Sequence, residues 1–400
     1  MRRTLQLLTL CLAAAACGWG DDSEDWPPTG VDHGRWFLIG RQSPDGSWRS
    51  ETYGALKDGW SLTPPVLKTL LFSGSEIPAD LQIGRALGFL ASPIWSAGTI
   101  ETLPGEMPYP VYTSALAAIA LERSRREELR EARDAWLTLL SSHQLTEELG
   151  WSPDDLAYGG WGYSLEPPRK QDAAGRLYDS DLSSTLFALG ALRYCGASFD
   201  DPRVAKALVF VRRCQNWPAP GAERDPAFDD GGFFFTPTND LQNKAGVAGT
   251  DARGRVRYHS YGAMTADGVR ALLRCGLPRD DPAVVAARRW LEEHFTVATN
   301  PGVFEEEREI ERDASYYYWC WSLAHALTEL GLDVVETGDG PVRWAPALTE
   351  ELLGRQRPDG SWANRFSLVK EDDPLIATSF ACAALELARL RSAARSHGLR

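Results

Sequence analysis

The chain has 400 residues, 44% of them hydrophobic and 24% charged, which places it among folded globular proteins and excludes a disordered or collagen-like chain. Its formal charge of −13 argues against a nucleic-acid partner and against a polybasic membrane-binding patch. The 15 Trp, 12 Tyr and 14 Phe, against 3 Met, are the more informative population, because many of these rings recur at fixed places.

At the N-terminus, Met1-Arg2-Arg3 is a short basic start, residues 4–16 carry no charge, and Ala14-Ala15-Ala16 supplies a small-residue cleavage site directly before Cys17. Residues 1–16 are therefore expected to be a signal peptide, too short to span a bilayer. The run resembles a bacterial lipoprotein signal, with Ala14 where leucine is usual. That resemblance implies lipidation of Cys17 and an extracytoplasmic protein held at a membrane only through its anchor; a plain secretory signal is the alternative. Residues 17–34, rich in Gly, Pro and Asp, read as a flexible tether. Beyond Cys17 the cysteines are Cys195, Cys214, Cys275, Cys320 and Cys382, an odd set lying mostly in apolar helix-like runs and expected to be buried thiols.

Two internal matches reveal repetition. Gly40 to Trp48 returns as Gly354 to Trp362 with eight of nine positions identical, and the stretch from Cys195-Gly196 to Ala207 returns from Cys275-Gly276 to Ala287 at an offset of 80. Each unit predicts two helices. One opens on Asp-Pro, as at Asp201-Pro202, Asp281-Pro282 and Asp373-Pro374, where the aspartate caps and the proline pre-sets φ. The other opens on a small hydroxyl residue followed by a nearly all-apolar run, at Thr63, Thr113, Ser184, Thr265 and Ser379, with Trp319 in the equivalent place of the fifth unit. Gly74, Gly196, Gly276 and Gly331 are the expected stops. Runs that are apolar all round are inner helices, and mixed runs such as 203–213 and 283–293 are outer ones. Six such units, the first and last nearly alike, predict an all-α, single-domain (α/α)6 toroid over residues 35–392.

Phe37-Leu38, Gln42, Gly46 and Trp48, with the second copy from Leu352 through Gln356 and Gly360 to Trp362, resemble the Gln-Trp repeat of squalene and hopene cyclases and of protein prenyltransferase β subunits. Weaker echoes are Gly160-Trp161 and Gln215 followed late by Asp230-Gly231-Gly232-Phe233. The resemblance covers roughly residues 35–390 and implies that the glutamine and tryptophan staple adjacent outer helices. It is specific to an architecture, not to a reaction.

In a toroid of this kind the inner-helix N-termini gather around one mouth. The residues expected there are Trp60, Tyr109, Tyr112, Tyr178, Asp179, Asp181, Tyr258, His259, Tyr261, Asp313, Tyr316, Tyr317, Tyr318, Asp372 and Asp373. For each aspartate alone, helix capping is the competing reading. Squalene-type cyclases place their acid in an Asp-x-Asp-Asp motif at an inner-helix start; here Asp179-Ser180-Asp181-Leu182 lacks the last aspartate. The resemblance implies Asp179 as acid, tuned by Asp181 or His259. Trp161, Tyr163, Phe233 and the run Tyr316-Tyr317-Tyr318-Trp319 are candidate cavity walls, with core packing as the alternative. The insert over residues 218–256 is long enough to suggest a lid.

Prenyltransferases bind zinc through Asp, Cys and His, but no Asp-x-Cys occurs here and the six histidines show no paired spacing, so neither a metal nor a cofactor is expected. Asp21-Asp22-Ser23-Glu24-Asp25 matches a diphosphate-binding pattern but falls in the tether, and neither Cys-Gly pair continues as a thioester motif. Three readings follow: a cyclase-like toroid holding an apolar, isoprenoid-like molecule, a polysaccharide-active toroid enzyme, and a non-catalytic cell-envelope scaffold.

Overall fold

The computed structural model describes residues 30–71, 79–93, 98–100, 106–172, 179–219 and 221–396. The signal peptide, Cys17, Gly74 and Tyr178 lie outside them. Outer and inner helices alternate along the chain: α1 (Gly30–Ile39), α2 (Thr63–Leu70), α3 (Asp80–Ala91), α4 (Pro110–Arg123), α5 (Arg130–Ser142), α6 (Leu182–Tyr194), α7 (Pro202–Arg213), α8 (Gly262–Arg274) and α9 (Pro282–Glu293). After the short α10 (Glu309–Ala314) come the inner α11 (Tyr316–Leu330), the outer α12 (Trp344–Gly354) and the inner α13 (Pro374–Ser396). The inner helices pack in the order α2, α4, α6, α8, α11, α13, and α13 returns to α2, so the ring closes. This is an (α/α)6 toroid.

Helix α1 seals the closure, because it packs on α13 with Val31, Gly34 and Arg35 buried. The chain is therefore already part of the ring at residues 30–34, inside the stretch read as tether. Three two-stranded antiparallel ribbons decorate the loops: β1 (Trp161–Gly162) with β2 (Ser180–Asp181), β3 (Val247–Thr250) with β4 (Val256–Tyr258), and β5 (Val334–Thr337) with β6 (Gly340–Arg343). Asp373-Pro374 and Ser379 belong to one continuous helix, α13, rather than to an outer and an inner one. Helix α11 starts a turn earlier than Trp319. Cys214, Cys275, Cys320 and Cys382 are buried free thiols, and Cys195 is a half-buried one.

One device recurs four times around the outside. Gln42 Nε2 donates to Gly46 O (3.0 Å) and to Gln82 O in the first turn of α3 (2.8 Å). Gln144 does the same to Gly159 O and to Arg203 O of α7, both at 2.9 Å. Gln215 reaches Gly231 O (3.0 Å) and Ala283 O of α9 (2.8 Å), and Gln356 reaches Gly360 O (2.8 Å) and Gly30 O of α1 (2.7 Å). Each glutamine thus leaves the C-terminal end of one outer helix and ties it to the start of the next.

The ring that follows locks the inner helix as well. Trp48, Trp161 and Trp362 each donate their indole N–H to a carbonyl near the end of their own outer helix, Leu38 (2.7 Å), Leu140 (2.8 Å) and Leu352 (2.7 Å). Their backbone N–H groups donate to a threonine hydroxyl near the start of the inner helix, Thr63 (2.9 Å), Thr185 (3.1 Å) and Thr378 (3.0 Å), and Phe233 does so to Thr265 (3.1 Å). In these four inner helices the hydroxyl is thus a receptor for the staple, not an N-cap. In the third and sixth units the working residues are Thr185 and Thr378, each one position from the expected Ser184 and Ser379.

The glycine of the device has a steric reason. Gly159 has φ +86°, and a Cβ there would lie 2.0 Å from Lys206 O in α7. Gly46, Gly231 and Gly360 likewise have positive φ and abut the next outer helix at Arg85, Ala286 and His33. Gly196 also has positive φ (+95°) but faces open space. Gly159→Ala is therefore expected to cost about 3 kcal/mol or more, combining left-handed strain with a backbone clash, whereas Gly196→Ala should cost about 1 kcal/mol. Urea denaturation midpoints of the two variants check this, and equal losses would show that the glycine does not seat against α7.

Candidate functional site

At the mouth, the starts of three inner helices, α6, α8 and α11, are satisfied by the loop that leads into the next inner helix. Leu182 N donates to Phe235 O (2.9 Å), Gly262 N to Pro301 O (2.7 Å), and Ala263 N to Asn300 Oδ1 (2.9 Å). At α11 the acceptor is Glu371, whose carboxylate takes Tyr317 N (2.9 Å) and Tyr318 N (2.8 Å). Glu371 is buried, and burial pushes its carboxyl up to about 7 against the pull of those hydrogen bonds. The sequence signal was available in Glu371-Asp372-Asp373-Pro374. The aspartates stand out there as caps of their own helix, whereas Glu371 serves a neighbouring one. Asp373 caps its own α13 through Leu375 N (2.9 Å), and Asp372 accepts from Tyr53 OH (2.5 Å), tying the last loop to the first.

Asp181 is the N-cap of α6. Its two oxygens accept from Ser184 N and Ser184 Oγ, each at 2.7 Å, and β1 pairing sets Asp181 opposite Trp161. The residue is wholly buried, and desolvation pushes its carboxyl up to about 7 despite the capping bonds. Asp179 is different: it is half-buried, and its carboxylate accepts from Asn239 Nδ2 (3.0 Å). His259 donates its backbone N–H to Gly246 O, and no hydrogen bond among the described residues joins it to either aspartate. Of the two aspartates it is Asp181 that is fully buried, and Asp179, expected as the acid, is the half-buried one.

Asp181 shares its surroundings with three tyrosines, Tyr112, Tyr163 and Tyr261, whose phenols all feel its charge. Tyr112 and Tyr163 lie ring to ring at 5.6 Å with their hydroxyls 3.2 Å apart, and Tyr109 meets Tyr163 edge-on at 6.4 Å. Tyr163 keeps 45% of its surface open, yet desolvation lifts its hydroxyl well above the ordinary phenol range. Its open surface thus lies within a densely packed neighbourhood, a recess at the mouth. The Tyr261 hydroxyl is buried with no hydrogen-bond partner, an orphan donor at the same place.

Below this recess the axis is filled. Tyr318 OH donates to Asp267 (2.5 Å) and lies 2.5 Å from Ser183 Oγ, forming a crossbar from α11 to α6 and α8. Phe187 stacks on Trp321 at 5.2 Å, and Trp321 and Tyr318 both contact Phe380. Asp267 also takes Ser322 Oγ and Arg270 Nη1 (3.3 Å), and burial raises its carboxyl to about 6.

Several expected wall residues lie elsewhere. Trp161 and Phe233 are fully buried in the staple position, so their rings hold helices together. Successive helix residues point about 100° apart, and it is Tyr318 that faces the axis. Tyr316 bonds Val297 O (2.9 Å) beneath the Arg355 guanidinium, and Tyr317 packs against Tyr316 at 5.1 Å. Tyr258, just past the insert, is buried and donates its hydroxyl to Asp240 of the insert (2.5 Å). Trp60 packs on Phe89 at 4.2 Å and lines an open depression of about 610 Å³ with Gly54, Ala55, Asp58, Glu106 and Pro108.

The described part of the insert is tied to its neighbours on two sides. Asn243 Oδ1 holds Phe235 N (2.9 Å) and Thr236 N (3.1 Å), and Thr236 Oγ1 donates to Ser180 O (2.7 Å). On the other side Glu305 accepts Val247 N (3.0 Å), and Lys244 pairs with Glu311 at 3.6 Å. Lys244 also feels Glu371 and Asp181, so the insert brings a cation to the acids of the mouth.

No protein-family model matches this chain, and no curated protein sequence does. Solved structures do. A variant of the type II terpene cyclase MstE from Scytonema, in complex with geranylgeranyl dihydroxybenzoate, is 14% identical with a TM-score of 0.54, over 90% of this chain and 97% of that one. The GH76A α-1,6-mannanase from Salegentibacter sp. HEL1_6 is 11% identical with a TM-score of 0.55, over 90% and 98%. A protein from Actinoplanes is 17% identical with a TM-score of 0.51, over 91% and 98%. At these identities the likeness speaks for architecture: the chain has the α/α-toroid fold found in terpene cyclases and in α-1,6-mannanases, the fold that its Gln-Trp repeats implied.

Proposed function

We propose that this protein is an exported, Cys17-anchored toroid that binds an apolar, isoprenoid-like molecule at its mouth and protonates it from Asp181. The observation that carries the reading is a buried carboxyl, raised to about 7, set among Tyr112, Tyr163 and Tyr261. An acid of that kind holds its proton in about half the molecules near pH 7. The surrounding rings present faces that stabilise a developing carbocation, and the tyrosine wall with the insert above it limits water. Asp181 would donate its proton to an alkene carbon, the electron pair of the double bond forming the new C–H bond and leaving the positive charge on the adjacent carbon.

The glycan reading has less support. Glycoside hydrolysis needs two carboxyl groups facing one another across an open cleft, about 5–9.5 Å apart. Asp267, the other buried acid near Asp181, is held by Tyr318, Ser322 and Arg270 in the crossbar and lines no open cleft. The filled axis below Tyr318 is the feature that a pure scaffold would share, so the decisive experiment must read binding as well as turnover.

Asn is as good an N-cap as Asp, so Asp181→Asn should fold while losing the acid. Incubated with geranylgeranyl-bearing substrates and analysed by mass spectrometry, the wild type and Asp179→Asn are expected to give cyclised product, and Asp181→Asn bound but unconverted substrate. Absence of both binding and product in the wild type would leave the scaffold reading in its place.

The same variant tests the electrostatics through stability. Because the folded-state pKa of Asp181 is raised, the native chain binds more protons than the unfolded one between about pH 4 and 7, and this group's contribution to stability is lost as pH rises through about 7. Relative to wild type, Asp181→Asn should therefore be more stable at pH 8 than at pH 5, as read from urea midpoints. A difference that does not change with pH would mean that Asp181 titrates normally.

A further inference from the structure

Beneath the Phe187–Trp321 stack lies a group of cations that neither the staples nor the mouth employs. Lys68 comes from α2 and Arg270 from α8, helices on opposite sides of the six-membered inner ring. They meet over one indole: Lys68 Nζ is 5.4 Å and Arg270 Cζ 4.3 Å from the Trp321 ring centroid, and the His325 ring packs edge-on against it at 5.0 Å. Arg123 and Arg274, in the last turns of α4 and α8, add their fields to the same spot.

The counter-charge is short. Three basic side chains, Lys68, Arg270 and Arg274, face two carboxylates, Asp267 and Glu329. Asp267 is 3.3 Å from Arg270 Nη1, while one Glu329 oxygen is shared between Arg274 Nη2 (3.0 Å) and Arg270 Nε (3.6 Å). Lys68 has no carboxylate within ion-pair distance among the described residues, and its amine is pushed down to about 7 by desolvation first and by Arg270, Arg123 and Arg274 next. Arg270 is only 2% exposed, and among the described residues neither its Nε nor the buried Nε2 of His325 finds a hydrogen-bond partner. Buried cations are ordinarily paired, since like charges converging in a low-dielectric interior repel.

We propose that this floor binds a phosphate-type dianion between Lys68, Arg270 and His325, admitted from the end of the ring opposite the mouth, where Arg274 and Glu329 are part-exposed. The site does not depend on the isoprenoid reading, because the Phe187–Trp321–Phe380 rings separate it from the tyrosine recess. Its chemistry suits free phosphate or pyrophosphate and equally a lipid diphosphate headgroup.

Isothermal titration calorimetry of the purified chain with pyrophosphate, at matched ionic strength and pH 7.5, is expected to give saturable binding with proton uptake, seen as a heat that varies with buffer ionisation enthalpy, because the anion restores the proton to Lys68. Lys68→Met should bind roughly tenfold more weakly or less well still and lose the proton uptake. If that variant fails to fold by circular dichroism, His325→Leu is the second test, with weaker binding again expected. Geranyl diphosphate binding more tightly than pyrophosphate would assign the site to a lipid headgroup, and equal affinity would assign it to a free anion. No saturable heat with wild type, or unchanged binding in a folded Lys68→Met, would overturn the site.

Discussion

Everything in this fold depends on how helix ends are handed from one unit to the next. A helix leaves N–H groups unpaired at its start and carbonyls unpaired at its end, and a ring of twelve helices multiplies that debt. At the periphery, glutamine amides from one outer helix hold carbonyls in the first turn of the next. At the mouth, inner-helix N–H groups are accepted by Phe235, Pro301, Asn300 and Glu371, each in the loop of the following unit. Neither set can be satisfied by a unit alone. A ring built this way is cooperative by construction, and Gln356 to Gly30 and Tyr53 to Asp372 are the bonds that close it.

Because the staples consume the largest rings, aromatic content by itself is a poor guide to a binding wall. Trp48, Trp161, Trp362 and Phe233 are fully buried for an architectural reason, and two of them were indistinguishable in the sequence from cavity residues. The two compact copies of the repeat were legible because Gln, Gly and Trp stand at fixed short spacing. In the other two, loops intervene between the glutamine and the ring. The loop from Gln144 folds around its own small core of Leu145, Trp151, Ala157 and Tyr158 before Gly159 arrives, and the spacing signal is lost even though the hydrogen bonds are retained. Two copies are therefore plain in the sequence, while the other two leave only the weaker echoes at Gly160-Trp161 and at Gln215 followed by Asp230-Gly231-Gly232-Phe233.

The site was less legible, for a different physical reason. Asp181 and Asp179 are two residues apart and look alike in the chain; what separates them is that one is enclosed as a cap of α6 and the other reaches Asn239. Glu371 and Lys244 come from segments that the helical pattern does not describe, and Tyr318 is told from Tyr316 and Tyr317 only by the rotation of α11. The clearest missed signal was on α8. An inner helix ought to be apolar all round, yet Asp267, Arg270 and Arg274 recur at helical spacing on one stripe.

That exception identifies where function can reside in such a ring. An inner helix is covered by an outer helix behind it and by inner neighbours on both sides, and those contacts demand apolar side chains. The axis-facing stripe alone escapes them, so polar residues persist there only if they pair across the axis or await something else. Tyr318, Ser183, Ser322 and Asp267 pair across it and hold the crossbar. Asp181 and the Tyr261 hydroxyl above, and Lys68, Arg270 and His325 below, are left with burial that their partners do not fully repay. The crossbar thus divides the axis into an acidic, tyrosine-lined recess and a basic floor, two environments of opposite charge preference in one ring.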